Sequence, residues 1–199
     1  MTTYYRNEYL FSEIYLQEIT RQPEDTEILA SLTTLKEYRE FARTSTIQEW
    51  KKSFVHEVLY ALRFGIKSEN ERLTLLYPVG DMEMPITLCY VLLPTEDLDN
   101  TTMGRNWAEK VIGSLRRHNL KWGLLTNGQQ WGMYHFDEST PYEIFLEIDL
   151  AAILADSAAQ AYQIFHKFMK VENFTAGEHG ECRLDVINNP AASCEVSGS

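Results

Sequence analysis

Apolar positions recur along this chain with two different periods, and each change of period marks a change of element. Leu10, Phe11, Ile14, Tyr15 and Ile19 stand at helical spacing. After a break at Gln22-Pro23-Glu24-Asp25 the stripe resumes at Ile28, Leu29, Leu32 and Leu35, so residues 8–43 are predicted to be helical. Thr46-Ile47-Gln48-Glu49 fits a capping box, in which a hydroxyl and a carboxylate satisfy free amides at a helix start. The helix it opens runs over 46–64, with Trp50, Phe54, Val55, Val58, Leu59 and Leu62 on one face and Gly65 as its C-terminal stop.

The centre of the chain changes register. Residues 73–79 and 86–93 are near-continuous apolar runs, the mark of strands covered on both faces, and Gly80-Asp81-Met82-Glu83 joins them. A helix over 103–118 follows, with Trp107, Val111 and Leu115 inward. Leu120 to Phe136 then reads as a hairpin, turning at Asn127-Gly128, two residues that tolerate the positive φ of a two-residue turn. A strand at 143–148 and a helix over 150–170, capped by Asp149, complete the pattern. Residues 188–199, NNPAASCEVSGS, are small and polar and read as a disordered tail or linker.

The order helix, strand pair, helix and KWGLLTNGQQWGMY hairpin resembles the nuclease-like N-terminal domain of many restriction-modification proteins, of the PD-(D/E)xK class. The resemblance covers roughly residues 46–172. It implies an α/β fold, a restriction-endonuclease-like mixed central sheet flanked by helices. Residues 1–45 then form an N-terminal helical extension and residues 173–199 a C-terminal tail or linker. Similar domains open single-chain restriction-modification enzymes and occur in type I restriction subunits. The implied setting is a bacterial or archaeal cytoplasmic DNA-defence system. The implied partners are DNA, reached through a larger complex or neighbouring domain, and a methyltransferase or specificity module.

The chemistry of that class needs an Asp on one strand and Glu-x-Lys on the next. The carboxylates hold Mg²⁺, and the Lys positions the attacking water and steadies phosphate charge. Laid over this chain, the pattern places Asp81 near the first acidic position. Counted back from Pro94, Tyr90 falls at the Glu and Leu92 at the Lys, so both are lost. A relocated site would use Asp81 with Glu83 or Glu57, with Lys67 or Lys110 as the cation and Mg²⁺ as cofactor. The plain alternatives are a solvated turn for Asp81 and Glu83 and a helix surface for Glu57. The resemblance therefore implies a catalytically degenerate domain that positions DNA or serves assembly. An active Mg²⁺-dependent endonuclease and a protein-interaction module are the alternatives.

Arg116, Arg117, His118 and Lys121 cluster before the hairpin, and Lys51 and Lys52 open the capped helix. In nuclease-like relatives comparable positions track the DNA backbone, with Asn127, Gln129 and Gln130 at the turn as further contacts; otherwise they form a solvated rim. Trp107, Trp122, Trp131 and Tyr134 invite a base-stacking role, but their spacing assigns them to the core. His56 beside Glu57 is a formal general base on a helix surface. Neither GxGxxG nor GxxxxGK[ST] occurs, and Asn188-Asn189-Pro190-Ala191 lacks the aromatic of a methyltransferase motif.

Composition adds a constraint. Net charge is −11, whereas autonomous DNA-binding domains present a basic surface because phosphate neutralisation supplies most of their affinity. Three cysteines, with no CxxC pair, are expected to be reduced thiols rather than a zinc site or a disulfide framework. No apolar run approaches the roughly 20 residues of a membrane helix, and no secretory signal opens the chain.

Overall fold

Asp25 starts the first described helix, α1 (Thr26–Phe41), by accepting the Glu27 amide on Oδ1 at 2.9 Å. It turns Ile28, Leu32 and Leu35 into the core, as the stripe predicts. The computed structural model describes residues 4–8, 11, 25–99, 106–137, 145–177 and 180–188. The helical reading of Ile14, Tyr15 and Ile19, the break at 22–24 and the tail at 189–199 lie outside the described residues.

Half of the capping box forms: Thr46 Oγ1 accepts the Glu49 amide at 3.1 Å, and its hydroxyl donates to the Glu49 carboxylate at 3.4 Å. The helix it opens, α2, spans 47–61 and contains a π-helical turn at Lys51–Val55. The wider turn puts Trp50, Lys51, Phe54 and Val55 all on the buried side. Its end differs from the sequence expectation. Arg63, at φ 66°, makes the left-handed reversal, and Gly65 lies in a strand, β2 (Phe64–Ser68).

The strands β3 (Leu73–Pro78) and β4 (Thr87–Val91) follow, then α3 (Trp107–His118), β5 (Trp122–Thr126), β6 (Gln130–His135) and β7 (Phe145–Asp149). With β1 (Tyr5–Glu8) they form a seven-stranded sheet in the order β1-β7-β6-β5-β4-β3-β2. Every neighbouring pair is antiparallel except β4 and β5. That one parallel pair requires a crossover, and α3 supplies it. The fold is α/β, a mixed sheet flanked by helices.

Alternation along the strands sorts side chains into two cores. Leu76, Cys89, Leu124 and Met133 face the helices α1, α2, α4 (Leu150–Asp156), α5 (Ala159–Met169) and α6 (Arg183–Asn188). Leu88, Leu125 and Tyr134 face α3, through Val111 and Leu115. Leu35 of α1 and Leu184 of α6 belong to the first core, so the segments either side of 46–172 pack as one body with it. The helix expected over 150–170 is broken at Ser157, whose φ of 52° ends α4. Cys89 and Cys182 are free thiols, both buried. Among the described residues no helix is long and apolar enough to cross a membrane.

The hairpin turn also corrects its sequence reading. Asn127 does not take positive φ; only Gly128 does, at 81°. Thr126 pairs with Trp131, and the Asn127 side chain closes the loop between them. Its Oδ1 accepts the Gln129 and Gln130 amides at 2.9 and 2.8 Å. Trp50 lies so close that a Cβ on Gly128 would sit 2.1 Å from its ring. Gly128→Ala should therefore cost about 2–4 kcal/mol in urea denaturation, from strain and overpacking together. Gly113→Ala, in a helix with open space around it, should be neutral or gain up to about 1 kcal/mol.

Candidate functional site

The resemblance asks for an acid on β3 to meet Tyr90 on β4 and Leu92 just past its end. Register separates them. Leu73, at the start of β3, pairs with Tyr90, whereas Asp81 follows the far end of that strand. The six residues of β3 place Asp81 some ~15–20 Å from Tyr90 along the sheet. Asp81 and Glu83 lie in the exposed β3–β4 turn, where Asp81 Oδ1 accepts the Glu83 amide at 3.1 Å. Glu57 is half-buried on α2. Among the described residues no three His, Cys, Asp or Glu side chains gather into a metal-binding group. The proposed Mg²⁺ ligands Asp81, Glu83 and Glu57 therefore do not form such a set.

The opposite end of the sheet, at the C-termini of β4 and β5, holds a dense polar network. Arg72 and Glu96 pair through two contacts, Nη1 to Oε2 at 2.8 Å and Nη2 to Oε1 at 3.1 Å. The guanidinium stacks over Trp107 at 5.0 Å, and Tyr90 touches the same indole at 5.9 Å between centroids. Glu96 also accepts the Leu93 amide on Oε2 at 2.8 Å, and its backbone carbonyl accepts from Asn127 Nδ2 at 2.9 Å. Gln129 Nε2 donates to the Pro94 carbonyl at 3.0 Å. Planar two-point pairing of this kind fixes geometry as well as charge. Both side chains are only about a fifth to a quarter exposed, 24% and 21%.

Tyr90 faces α3, and the strand positions on either side of it face the other core. There the pair at positions 89 and 91 is Cys89 and Val91, both fully buried. Neither register offers a carboxylate or an amine. Lys51 approaches this face from the π turn, 4% exposed, and its Nζ donates to the Asn70 carbonyl at 3.2 Å. Burial pulls its pKa below the usual lysine value and pushes the Cys89 thiol up to about 12. The Thr74 hydroxyl, paired across the ladder with Cys89, is buried with no hydrogen-bond partner among the described residues. His56 lies on the same helix; burial, then Lys51 and Lys52, pushes it down to about 4. It is held neutral at pH 7.

The expected DNA contacts are dispersed. Lys51 is buried and cannot reach a phosphate, and Asn127, 4% exposed, is spent on the turn. Lys52 remains exposed. Arg117 reaches Glu69 at 3.9 Å, Lys121 reaches Asp185 at 3.4 Å, and Arg116 lies over Phe136 at 5.1 Å. Asp185 earns its place through Trp122, whose Nε1 donates to Oδ1 at 2.8 Å. Trp107, Trp122, Trp131 and Tyr134 are all buried, as the core reading predicts. The Arg72–Glu96 pair escaped sequence reasoning. Its one legible trace is a charged residue at each boundary of two otherwise apolar runs.

Compared with known protein families, characterised proteins and solved structures, the chain matches none of them. Its own geometry yields two predictions. In a double-mutant cycle read by urea denaturation, Arg72→Ala and Glu96→Ala should each cost about 1–3 kcal/mol. The double variant should cost less than their sum, because each single change leaves a half-buried charge unpaired. A low folded-state pKa for His56 means that the unfolded chain binds its proton first. Its contribution to stability is complete above pH ~6.5 and is lost as pH falls toward 4. His56→Gln should flatten that part of the melting-temperature profile, leaving the slope due to His135 and His166, which burial also lowers.

Proposed function

We propose that this chain is a catalytically silent, restriction-endonuclease-like domain of a DNA-defence system, which acts in positioning or assembly rather than in cutting. One observation carries the reading: the positions where the resemblance requires Glu and Lys hold Tyr90 and Leu92. The space beside them is filled by the Arg72–Glu96 pair under Trp107. A metal site needs at least two oxygens free to converge. Here both Glu96 carboxylate oxygens are engaged, Oε1 by Arg72 and Oε2 by Arg72 and the Leu93 amide. The helix α2, the strand pair β3–β4, the crossover helix α3 and the hairpin follow in the order the resemblance implies, with β2 inserted between α2 and the pair.

Assembly is favoured over autonomous DNA binding by the charge distribution. The net charge is −11, and Arg117, His118 and Lys121 before the hairpin already have carboxylates beside them. A duplex would have to compete with those pairs while meeting a repulsive whole. DNA would then be reached through another domain or subunit.

Calorimetric titration with Mg²⁺ and Mn²⁺ should give no binding heat, and supercoiled plasmid should stay intact with either metal. Duplex binding at physiological salt should be weaker than about 10⁻⁵ M by anisotropy. Metal binding abolished by Asp81→Ala, together with plasmid nicking, would replace this reading with an active nuclease using a relocated site.

A further inference from the structure

The strand β2 closes one edge of the sheet, and among the described residues no strand pairs with its outer side. Register shows which of its backbone groups are left over. Phe64 lies opposite Pro78 and Ser68 opposite Thr74, and the Glu69 amide donates to the Leu73 carbonyl at 2.9 Å. Hydrogen-bonded pairs alternate along an antiparallel ladder. Gly65, Lys67 and Glu69 therefore direct N–H and C=O toward β3, and Phe64, Ile66 and Ser68 direct theirs outward. The Val91 amide donating to the Arg72 carbonyl at 2.9 Å confirms the same phase on the far side of β3.

An apolar rim borders this edge. Val79, Met82 and Met84 of the β3–β4 turn are 72%, 48% and 75% exposed, and Tyr60, in the last turn of α2, is 54% exposed. Met82 belongs to the edge itself, since its sulfur lies 2.7 Å from where a Cβ on Gly65 would stand. Charges of opposite sign flank the rim, with Lys67 on the strand and Asp81 and Glu83 on the turn. None of the three makes an ion pair among the described residues. An open edge with exposed apolar neighbours is a template for strand addition unless something covers it.

We propose that the β2 edge is the interface with a second copy of this chain, the two β2 strands pairing antiparallel about a two-fold axis at Ile66. In that register Ile66 meets Ile66 of the second copy and Phe64 meets its Ser68. Every outward-facing group then finds a partner, giving about six hydrogen bonds. A shift of one residue would set outward groups against inward ones, and a shift of two would lose a pair. Lys67 falls opposite Gly65 of the second copy, on the same face. Met82 already fills the space over that glycine, so the lysine stem runs across its thioether and carries its ammonium toward Asp81 and Glu83. The contact is self-complementary: each copy gives one Lys67 and receives one. It also sets the rims of Val79, Met82, Met84 and Tyr60 against each other. This interface stands whether or not the chain serves DNA defence.

Sedimentation over a concentration series tests it. The full chain should dimerise with a dissociation constant below about 100 µM. Lys67→Glu should weaken the dimer at least about tenfold, and adding Asp81→Lys with Glu83→Lys should restore it. Ser68→Pro removes an outward N–H without touching the ladder to β3, and should abolish dimerisation while the melting transition persists. The charge swap decides the matter even if that variant fails to fold. A chain that stays monomeric to about 300 µM would overturn the proposal. So would a dimer indifferent to the charge reversal, or a monomer whose β2 amides shift only on adding an extended peptide.

Discussion

The contact on which the rest of the molecule leans is that between Trp50 and the β5–β6 turn. The Trp50 indole donates to the Asn127 carbonyl at 3.0 Å, and its ring occupies the space a side chain at position 128 would need. From there a connected series of contacts crosses the fold. Arg39 of α1 lies over Trp50 at 5.3 Å. Asn127 holds the Glu96 carbonyl, Glu96 holds Arg72, and Arg72 rests on Trp107 at the start of α3. Both helical layers and three strands thus meet at one end of the sheet. A site that must open for a substrate could not share that end without breaking the series.

This arrangement explains how one end of the sheet can bury so many polar groups. Buried polar groups are tolerated when their partners are complete. In the Arg72–Glu96 network the guanidinium, both carboxylate oxygens and the Glu96 carbonyl all have partners within the fold. On the other face the polar groups are fewer and less satisfied: Lys51 has one carbonyl, and Thr74 and the His56 Nε2 have no partner among the described residues. Burial keeps His56 neutral and Cys89 protonated, so neither group serves as a charged ligand or a ready nucleophile at pH 7. A π turn in α2 is what brings Lys51 to this place.

Much of the architecture was legible from local pattern. The capping box, the stripes of α1 and α2, the buried runs of β3 and β4 and the amphipathic α3 announce themselves because each signal is local. The edge strands do not. Phe64-Gly65-Ile66-Lys67-Ser68 continues the apolar spacing of Leu62 and reads as a helix end. The chain reverses at Arg63, a residue with no preference for that backbone. Tyr5–Glu8 is too short and too charged to show a strand period. Ser157 breaks a stretch whose alanines favour helix on both sides. At the candidate site the gap was of another kind. Arg72 and Glu96 are separated by two strands, and Lys51 beside Lys52 looks solvated until a π turn rotates it inward. Such long-range pairings leave no periodic trace.

Native-state hydrogen exchange would test the closed end of the sheet most directly. The Gln129 and Gln130 amides bond to Asn127 Oδ1, and the Leu93 amide bonds to Glu96 Oε2. If the network is a structural keystone, all three should exchange only through global unfolding, with protection equal to that of the β5 core amides. Exchange of these amides at several kcal/mol below the global value would mean that the end opens on its own, as a working site does, and would contradict the account.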